Sequence, residues 1–261
     1  MRLSWLWAFA AVLALAGCAS VVGADFGDYT LSDDEDDGTT ANGGGPGVGG
    51  GPGVGGNGAG PAGGAGPTID AVGIVYAQNG VNVSGSLQSS LEPHFPSVVP
   101  VNADLAPLSG RDLAGFDAVV VANHSAWQFP DATGNAVGDF YDGGGRVVGM
   151  VGAFCTMVSL TGSFGDRFVF APGPSLMMPD APGPIVEQAP LFEGVGPLGS
   201  WLGCAVVPAP ATVVLASYQM GAPLAAKRVV NGRTRVDINI FPDMMTPALG
   251  QLIANAIRYP E

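Results

Sequence analysis

Phe116-Asp117-Ala118-Val119-Val120-Val121-Ala122, followed by Asp131 to Asp142 and then by Gly143-Gly144-Gly145-Arg146-Val147-Val148-Gly149-Met150-Val151, is the stretch whose reading decides the fold. The runs 117–122 and 146–151 are almost continuously apolar, as strands covered on both faces are. Between them Ala132, Ala136, Val137, Phe140 and Tyr141 fall at helical spacing, with Asp131 placed to cap the start and the triple glycine ending the helix. This is a β-α-β unit.

Toward the amino terminus, Ala71-Val72-Gly73-Ile74-Val75-Tyr76 is another short apolar run of the same kind. A weaker helix centred on Leu87 and Leu91 and stopped by Pro93 leads to an edge strand at Ser97 to Val101, where Pro100 argues against a central position. Toward the carboxyl terminus the pattern changes. Thr212 to Tyr218, Leu224 to Val230 and Arg233 to Phe241 are strand-like, and Asn231-Gly232 predicts a type I′ hairpin between the last two. Val236, Ile238 and Ile240 alternate with Arg235, Asp237 and Asn239, which predicts one buried and one wet face. Thr246 caps a closing helix with Pro247 at its first position, and Leu249, Leu252, Ile253, Ala256 and Ile257 form its apolar stripe.

These strand and turn signatures, with Tyr141-Asp142-Gly143-Gly144-Gly145-Arg146, Asn231-Gly232-Arg233-Thr234-Arg235-Val236 and the closing Leu252-Ile253-Ala254-Asn255-Ala256-Ile257-Arg258-Tyr259, resemble the class I glutamine-amidotransferase-like superfamily, and in particular its trehalose-utilisation-like branch. The resemblance covers most of residues 70–261 and implies an α/β fold: a flavodoxin-like, doubly wound, mostly parallel sheet with a C-terminal β-hairpin and closing helix. It does not by itself imply amidotransfer, because one fold hosts many chemistries.

Before this domain, residues 68–261, lie two segments of other character. Leu15-Ala16-Gly17-Cys18 follows an apolar run, Leu3 to Ala14, behind Arg2, and is similar to a bacterial lipobox. The run is too short to span a bilayer and ends in small residues, so residues 1–17 read as a cleaved signal. The resemblance to bacterial lipoproteins implies acylation of Cys18 and anchoring in the membrane of the cell envelope, since several acyl chains anchor stably where one does not. Ala19 in place of the Asp that retains inner-membrane lipoproteins favours the outer membrane where the cell has one. Residues 18–67 then form a tether. Seven acids lie between Asp25 and Asp37, and Gly-Pro-Gly-Val-Gly-Gly occurs at 45–50 and again at 51–56. Such a composition cannot offset chain entropy by burial and reads as a disordered acidic, then Gly/Pro-rich, spacer. An EF-hand would need Asp or Asn at Glu35 and Glu at Gly44, so the acidic run is not that calcium loop.

Charge excludes one class of partner. The whole chain carries 9 Lys and Arg against 22 Asp and Glu, a formal charge of −13, with no basic cluster, and nucleic acid would be repelled. Two isolated histidines and scattered acids offer no metal-ligand spacing, and no cofactor is expected. Gly143-Gly144-Gly145 precedes a strand instead of opening a helix, so it is not a phosphate loop.

In an open parallel sheet, ligands bind outside the carboxyl ends of the strands. That rule selects Gln78 and Asn79 after the first strand, Asn123, His124, Ser125 and Trp127 after the next central one, and Phe154 and Cys155 after the one that follows. An amidotransferase would follow its nucleophilic cysteine with a histidine later in the chain. Here both histidines, His94 and His124, precede Cys155, and Phe154 and Met157 crowd the turn, so glutaminase chemistry is not expected. Two readings of Cys155 remain: a nucleophile paired with His124, or half of a disulfide with Cys204, since both cysteines would sit in an oxidising compartment. Trp127 beside Asn123, His124 and Ser125 is either a sugar-stacking platform or a structural side chain. The proline-rich segment between the two cysteines is either a binding lid or an inert insertion. The reading that follows is a lipid-anchored envelope protein with a non-catalytic binding or interaction domain for an unidentified small-molecule, carbohydrate or protein partner. The alternative is an envelope hydrolase acting on a carbohydrate or ester through His124 and Cys155.

Overall fold

The structure, a computed structural model, describes residues 68–77, 83–124, 126–155, 159–171, 177, 179–185, 190–242 and 245–260. The signal, Cys18 and the tether lie outside the described residues, as do Gln78, Asn79 and Ser125. In chain order the elements are β1 (Ala71–Tyr76), α1 (Val83–Leu91), β2 (Ser97–Asn102), α2 (Gly110–Leu113), β3 (Ala118–Val121), α3 (Pro130–Asp142), β4 (Arg146–Gly149), β5 (Phe170–Ala171), β6 (Pro182–Ile185), β7 (Val207–Pro208), β8 (Val213–Tyr218), β9 (Pro223–Val230), β10 (Arg233–Ile238) and α4 (Pro247–Ile257).

Four strands pair in parallel in the order β2-β1-β3-β4, with Val72 opposite both Val98 and Ala118 and with Val119 opposite Val147. Their near-continuous apolarity has the expected cause. Val72, Ile74, Ala118, Val120, Val148 and Met150 bury one face, which α1 and α4 cover, while Val75, Val119, Val121, Val147 and Val151 bury the other against α3. Large aliphatic side chains so buried contribute about 1.5–3 kcal/mol each before entropy is counted. β2 is the edge strand. The N–H groups of Ser97 and Ala103 point inward to Asp70 and Tyr76, so by the alternation of the strand the missing N–H of Pro100 belongs to the outward row, where no ladder bond is lost.

The β9–β10 hairpin forms as predicted: Val230 pairs with Arg233 across Asn231 and Gly232, whose φ values of 51° and 77° are those of a type I′ turn. The second sheet runs β10-β9-β8-β6 in antiparallel pairs and joins the parallel one through a parallel bridge between Met150 and Ile238. Thr246 caps α4 by accepting the Leu249 N–H at 3.3 Å, and all five residues of the predicted stripe are buried.

Three expectations are corrected. Asp131 lies inside the first turn of α3; Phe129 occupies the cap position and Pro130, already constrained to helical φ, begins the helix. The segment after Cys155 is not an isolated insertion, since β6 extends the antiparallel sheet and β5 pairs with β7. It also packs on α3. A Cβ at Gly134 would stand 1.8 Å from the Thr161 carbonyl oxygen, so only glycine admits that approach.

The third correction is the largest: Arg235, Asp237 and Asn239, predicted to face water, are all buried. The chain around residues 164–170 covers this face, and the polar groups find partners inside it. One Asp237 oxygen accepts the Gly149 N–H and the other the Val169 N–H, each at 2.7 Å. The carboxylate also pairs with the Arg235 guanidinium, which stacks 4.6 Å from the ring centre of Phe164 and 5.4 Å from that of Phe168. The Nε and Nη1 atoms of Arg235 have no hydrogen-bond partner, so Asp237 is the anion that compensates this buried cation.

Asp237→Ala should lower unfolding free energy by about 3–5 kcal/mol in urea titrations, because it strands Arg235 and two backbone donors in the core. A second outcome concerns pH. Burial, and then the charge of Arg258, hold the His94 imidazole below its ordinary pKa of 6.5. The unfolded chain therefore takes up its proton first on acidification, and the stability His94 contributes, complete above about 6.5, is lost as pH falls toward the lower folded value. His94→Gln should flatten the drop in urea midpoint between about pH 7.5 and pH 5.

Candidate functional site

The carboxyl ends of β3 and β4 hold the described groups selected by the strand-end rule, Asn123, His124, Trp127, Phe154 and Cys155. After β3 the chain turns sharply past β4. Asn123 is fully buried, and its Oδ1 accepts the backbone N–H of His124 at 2.8 Å. His124 is half-buried, its ring meeting the Phe241 ring edge-on at 4.9 Å. After β4, Gly152 adopts φ of +97°, and a Cβ there would lie 1.9 Å from the Asn123 carbonyl oxygen. The two strand ends are thus pressed backbone to backbone, a contact that requires glycine.

Trp127 belongs to this joint. It is 4% exposed, and its indole N–H donates to the Gly152 carbonyl at 2.8 Å, so the ring packs in the core beside α3 and is not offered to a sugar. Of the two readings of this residue, the structure has the structural one. Phe154 is likewise buried, against Phe168 and Phe170.

Cys155 is bonded to Cys204, with Cα atoms 6.1 Å apart, and both residues are fully buried. A bridged cysteine has no thiolate, so Cys155 and His124 do not form a nucleophile and base in this state. In the chain-entropy model a cross-link over a loop of this length contributes roughly 4 kcal/mol. Asn239 completes the arrangement. Its Oδ1 accepts the Cys204 N–H at 2.8 Å, and its Nδ2 donates to the carbonyls of Cys204 at 2.9 Å and Pro223 at 2.8 Å. On the other side Asp104, after β2, accepts the Gln128 N–H at 3.1 Å and ties the first two strand ends to the third.

Sequence reasoning brought Asn123, His124, Trp127 and Cys155 to one end of the sheet, and the structure places all four there. It missed Asp104, Phe241 and Asn239. Asn239 was hidden by its alternation with Ile238 and Ile240, which assigned it to a wet face; Phe241 is the final residue of the last predicted strand and gave no separate signal.

A cleft of about 610 Å³ opens at the amino ends of the strands, lined by Phe116, Asp117, Asp139 and Arg146 among others. Two of its charged groups serve the fold: Asp117 accepts the N–H groups of Asp70 and Ala71 at 2.9 Å, and Arg146 donates to the carbonyls of Ile257 and Tyr259 at 3.0 Å. Among the described residues no group of three or more His, Cys, Asp or Glu is arranged to hold a metal ion, and no helix is long and apolar enough to cross a membrane.

No protein family's sequence model matches the chain, and no curated protein matches it. Solved structures do resemble it. A ThuA-like protein from Bacteroides uniformis superposes with a TM-score of 0.53 at 13% identity, covering 72% of this chain and 90% of that one. Two proteins of Salmonella typhimurium described as cytoplasmic give TM-scores of 0.54 and 0.55 at 12% identity, covering 72% of this chain and 98% and 97% of theirs. At such identities the likeness shows the shared α/β fold.

Two outcomes check the site. Trp127→Phe keeps most of the ring but leaves the buried Gly152 carbonyl without its donor, and should cost about 1–3 kcal/mol in urea unfolding with the fold intact. Peptide mapping without reductant should recover Cys155 joined to Cys204, and the folded protein should give no thiol titre from either.

Proposed function

We propose that this protein is a cell-envelope lipoprotein, anchored through lipid on Cys18, that presents a ThuA-like α/β domain as a binding or interaction module on the tether 18–67. The observation that carries the reading is the Cys155–Cys204 bridge. It occupies the one position after β4 where an amidotransferase-like domain would need a free nucleophile, and it leaves His124 without a thiol to activate. Disulfides also persist in oxidising compartments and are rare in the cytosol, which agrees with the export signal read at residues 1–17. The resemblance of the sequence to the trehalose-utilisation-like branch and the fold shared with a ThuA-like protein support the same domain assignment.

The ligand is a small molecule, a carbohydrate or a protein segment, bound at the carboxyl ends of the parallel strands. There Asn123 fixes the His124 backbone, and Gly152 lets the end of β4 approach the Asn123 carbonyl. The outer membrane is the expected location in a cell that has one.

Replacing Cys18 with Ser removes the only sulfur that could carry the anchor, and the variant should leave the detergent-extractable membrane fraction for the soluble one. Retention in membranes at the parent's level would overturn the anchor. Purified parent protein should release no ammonia from glutamine; release that is lost in Cys155→Ala would overturn the non-catalytic reading.

A further inference from the structure

At the amino ends of the strands, opposite the strand-end groups, α3 stops beside the cleft of about 610 Å³. Its last turn holds two acids, Asp139 and Asp142, and no base, although the carbonyl end of a helix is its negative pole and favours cations. Asp142 is compensated: Arg167 pairs with it at 2.7 Å, and the Asn231 amide donates to it at 3.2 Å. Asp139 is not. It is exposed, it lines the cleft, and its carboxylate makes no hydrogen bond or ion pair with another described residue. Of the other charged residues lining the cleft, Asp117 and Arg146 are opposite in sign, so Asp139 leaves the lining with an excess negative charge. It adds to a domain, residues 68–261, that holds 8 Lys and Arg against 15 Asp and Glu.

The rest of the lining suits the stem of an organic cation. Ile69 and Phe140 are buried, and the partly exposed ring of Phe116 rests on the β1 backbone, where a Cβ at Gly73 would stand 2.9 Å from its Cδ2. An aromatic face attracts a cation. Two glycines keep side chains out of the cleft: a Cβ at Gly110 would lie 3.7 Å from the Asp139 Oδ2, and one at Gly144 would have open space around it. The volume falls within the range of about 300–1,000 Å³ that small-molecule sites occupy. We propose that this cleft binds a small organic cation, an alkyl guanidinium or ammonium, with its charge on Asp139 at the carboxyl end of α3 and its stem along Phe116 and Ile69. The carboxylate accepts hydrogen bonds from charged N–H groups, which are shorter and stronger than neutral ones, and the bound cation relieves the conflict between Asp139 and the helix pole. The site is separate from the strand-end surface, since none of the residues chosen by the strand-end rule is among those lining it.

The test is a titration of n-butylguanidinium onto the full chain in a non-ionic detergent, followed by saturation-transfer NMR, with n-butylurea as the uncharged molecule of the same shape. Butylguanidinium should bind the parent saturably. Butylurea should bind the parent at least about tenfold more weakly, and so should butylguanidinium bind Asp139→Asn. Asp131→Asn removes the same charge at the other end of α3 and should keep the parent's affinity within about twofold. Because Asp139 opposes the helix pole, Asp139→Asn should unfold in urea at a midpoint equal to or above the parent's, so that lost binding is not lost fold. Absence of saturable binding would overturn the proposal, as would butylurea binding as tightly as butylguanidinium, or an unchanged affinity in Asp139→Asn. Equal losses in Asp139→Asn and Asp131→Asn would overturn it too, since only diffuse attraction to an acidic surface would then be at work. Should Asp139→Asn fail to fold, Overhauser contacts in the parent decide: contacts between the butyl chain and the Phe116 ring support the site, and contacts confined to other residues exclude it.

Discussion

A buried carboxylate braces the seam between the two sheets of this domain. β4 is the last strand of the parallel sheet and β10 the first of the antiparallel one, and they meet at a bridge between Met150 and Ile238 that the Val151 N–H continues by donating to the Ile240 carbonyl at 3.3 Å. Asp237 strengthens that seam by taking the Gly149 N–H from β4 and the Val169 N–H from the covering segment. A carboxylate in the interior costs several kcal/mol unless charge and hydrogen bonds compensate it. Here Arg235, two residues away on the same face, supplies the charge, and Phe164 and Phe168 enclose the guanidinium. The seam thereby fixes where β9, β8 and β6 stand relative to the parallel strands.

The strand-end surface depends on that placement. Once β10 is seated beside β4, its continuation carries Asn239 to Cys204 and Phe241 to His124. Cys204 can then meet Cys155, which the turn after β4 presents from the other side. The consequence is chemical. Cys155, which a nucleophilic reading would need as a free thiol, is instead half of a cross-link, and the neighbouring His124 ring meets the Phe241 ring edge-on.

The described residues between Cys155 and Cys204 show how an irregular, proline-rich chain is fastened to its sheet. Its prolines forbid a long helix or a central strand. It is pinned at intervals instead, by the bridge, by β6 along β8, by the paired N–H and carbonyl groups of Asp180 and Trp201, and by Asn255 of α4 donating to the Leu191 and Glu193 carbonyls. Each contact is modest, and together they turn a loop that would be costly to close into part of the sheet's edge.

The hydrophobic runs at 71–76, 117–122 and 146–151, the Asn231-Gly232 turn and the Thr246-Pro247 cap determined the α/β class, the hairpin and the closing helix from sequence alone, because each rests on local physics: strands covered on both faces lack polar positions, and turns and caps need particular backbone angles and side-chain oxygens. The strand-end rule likewise assigns Asn123, His124, Trp127 and Cys155 to one edge from sequence. Alternation failed at Arg235, Asp237 and Asn239. Polar residues on every second position of a strand signal water only if nothing else covers that face, and what covers it comes from residues 164–170, more than sixty positions away in the chain. Which of its two readings Cys155 takes was decided in the same way. A thiol and a half-disulfide are the same letter in a sequence, and only the folded chain, by bringing Cys204 across 49 positions to within 6.1 Å between Cα atoms, distinguishes them.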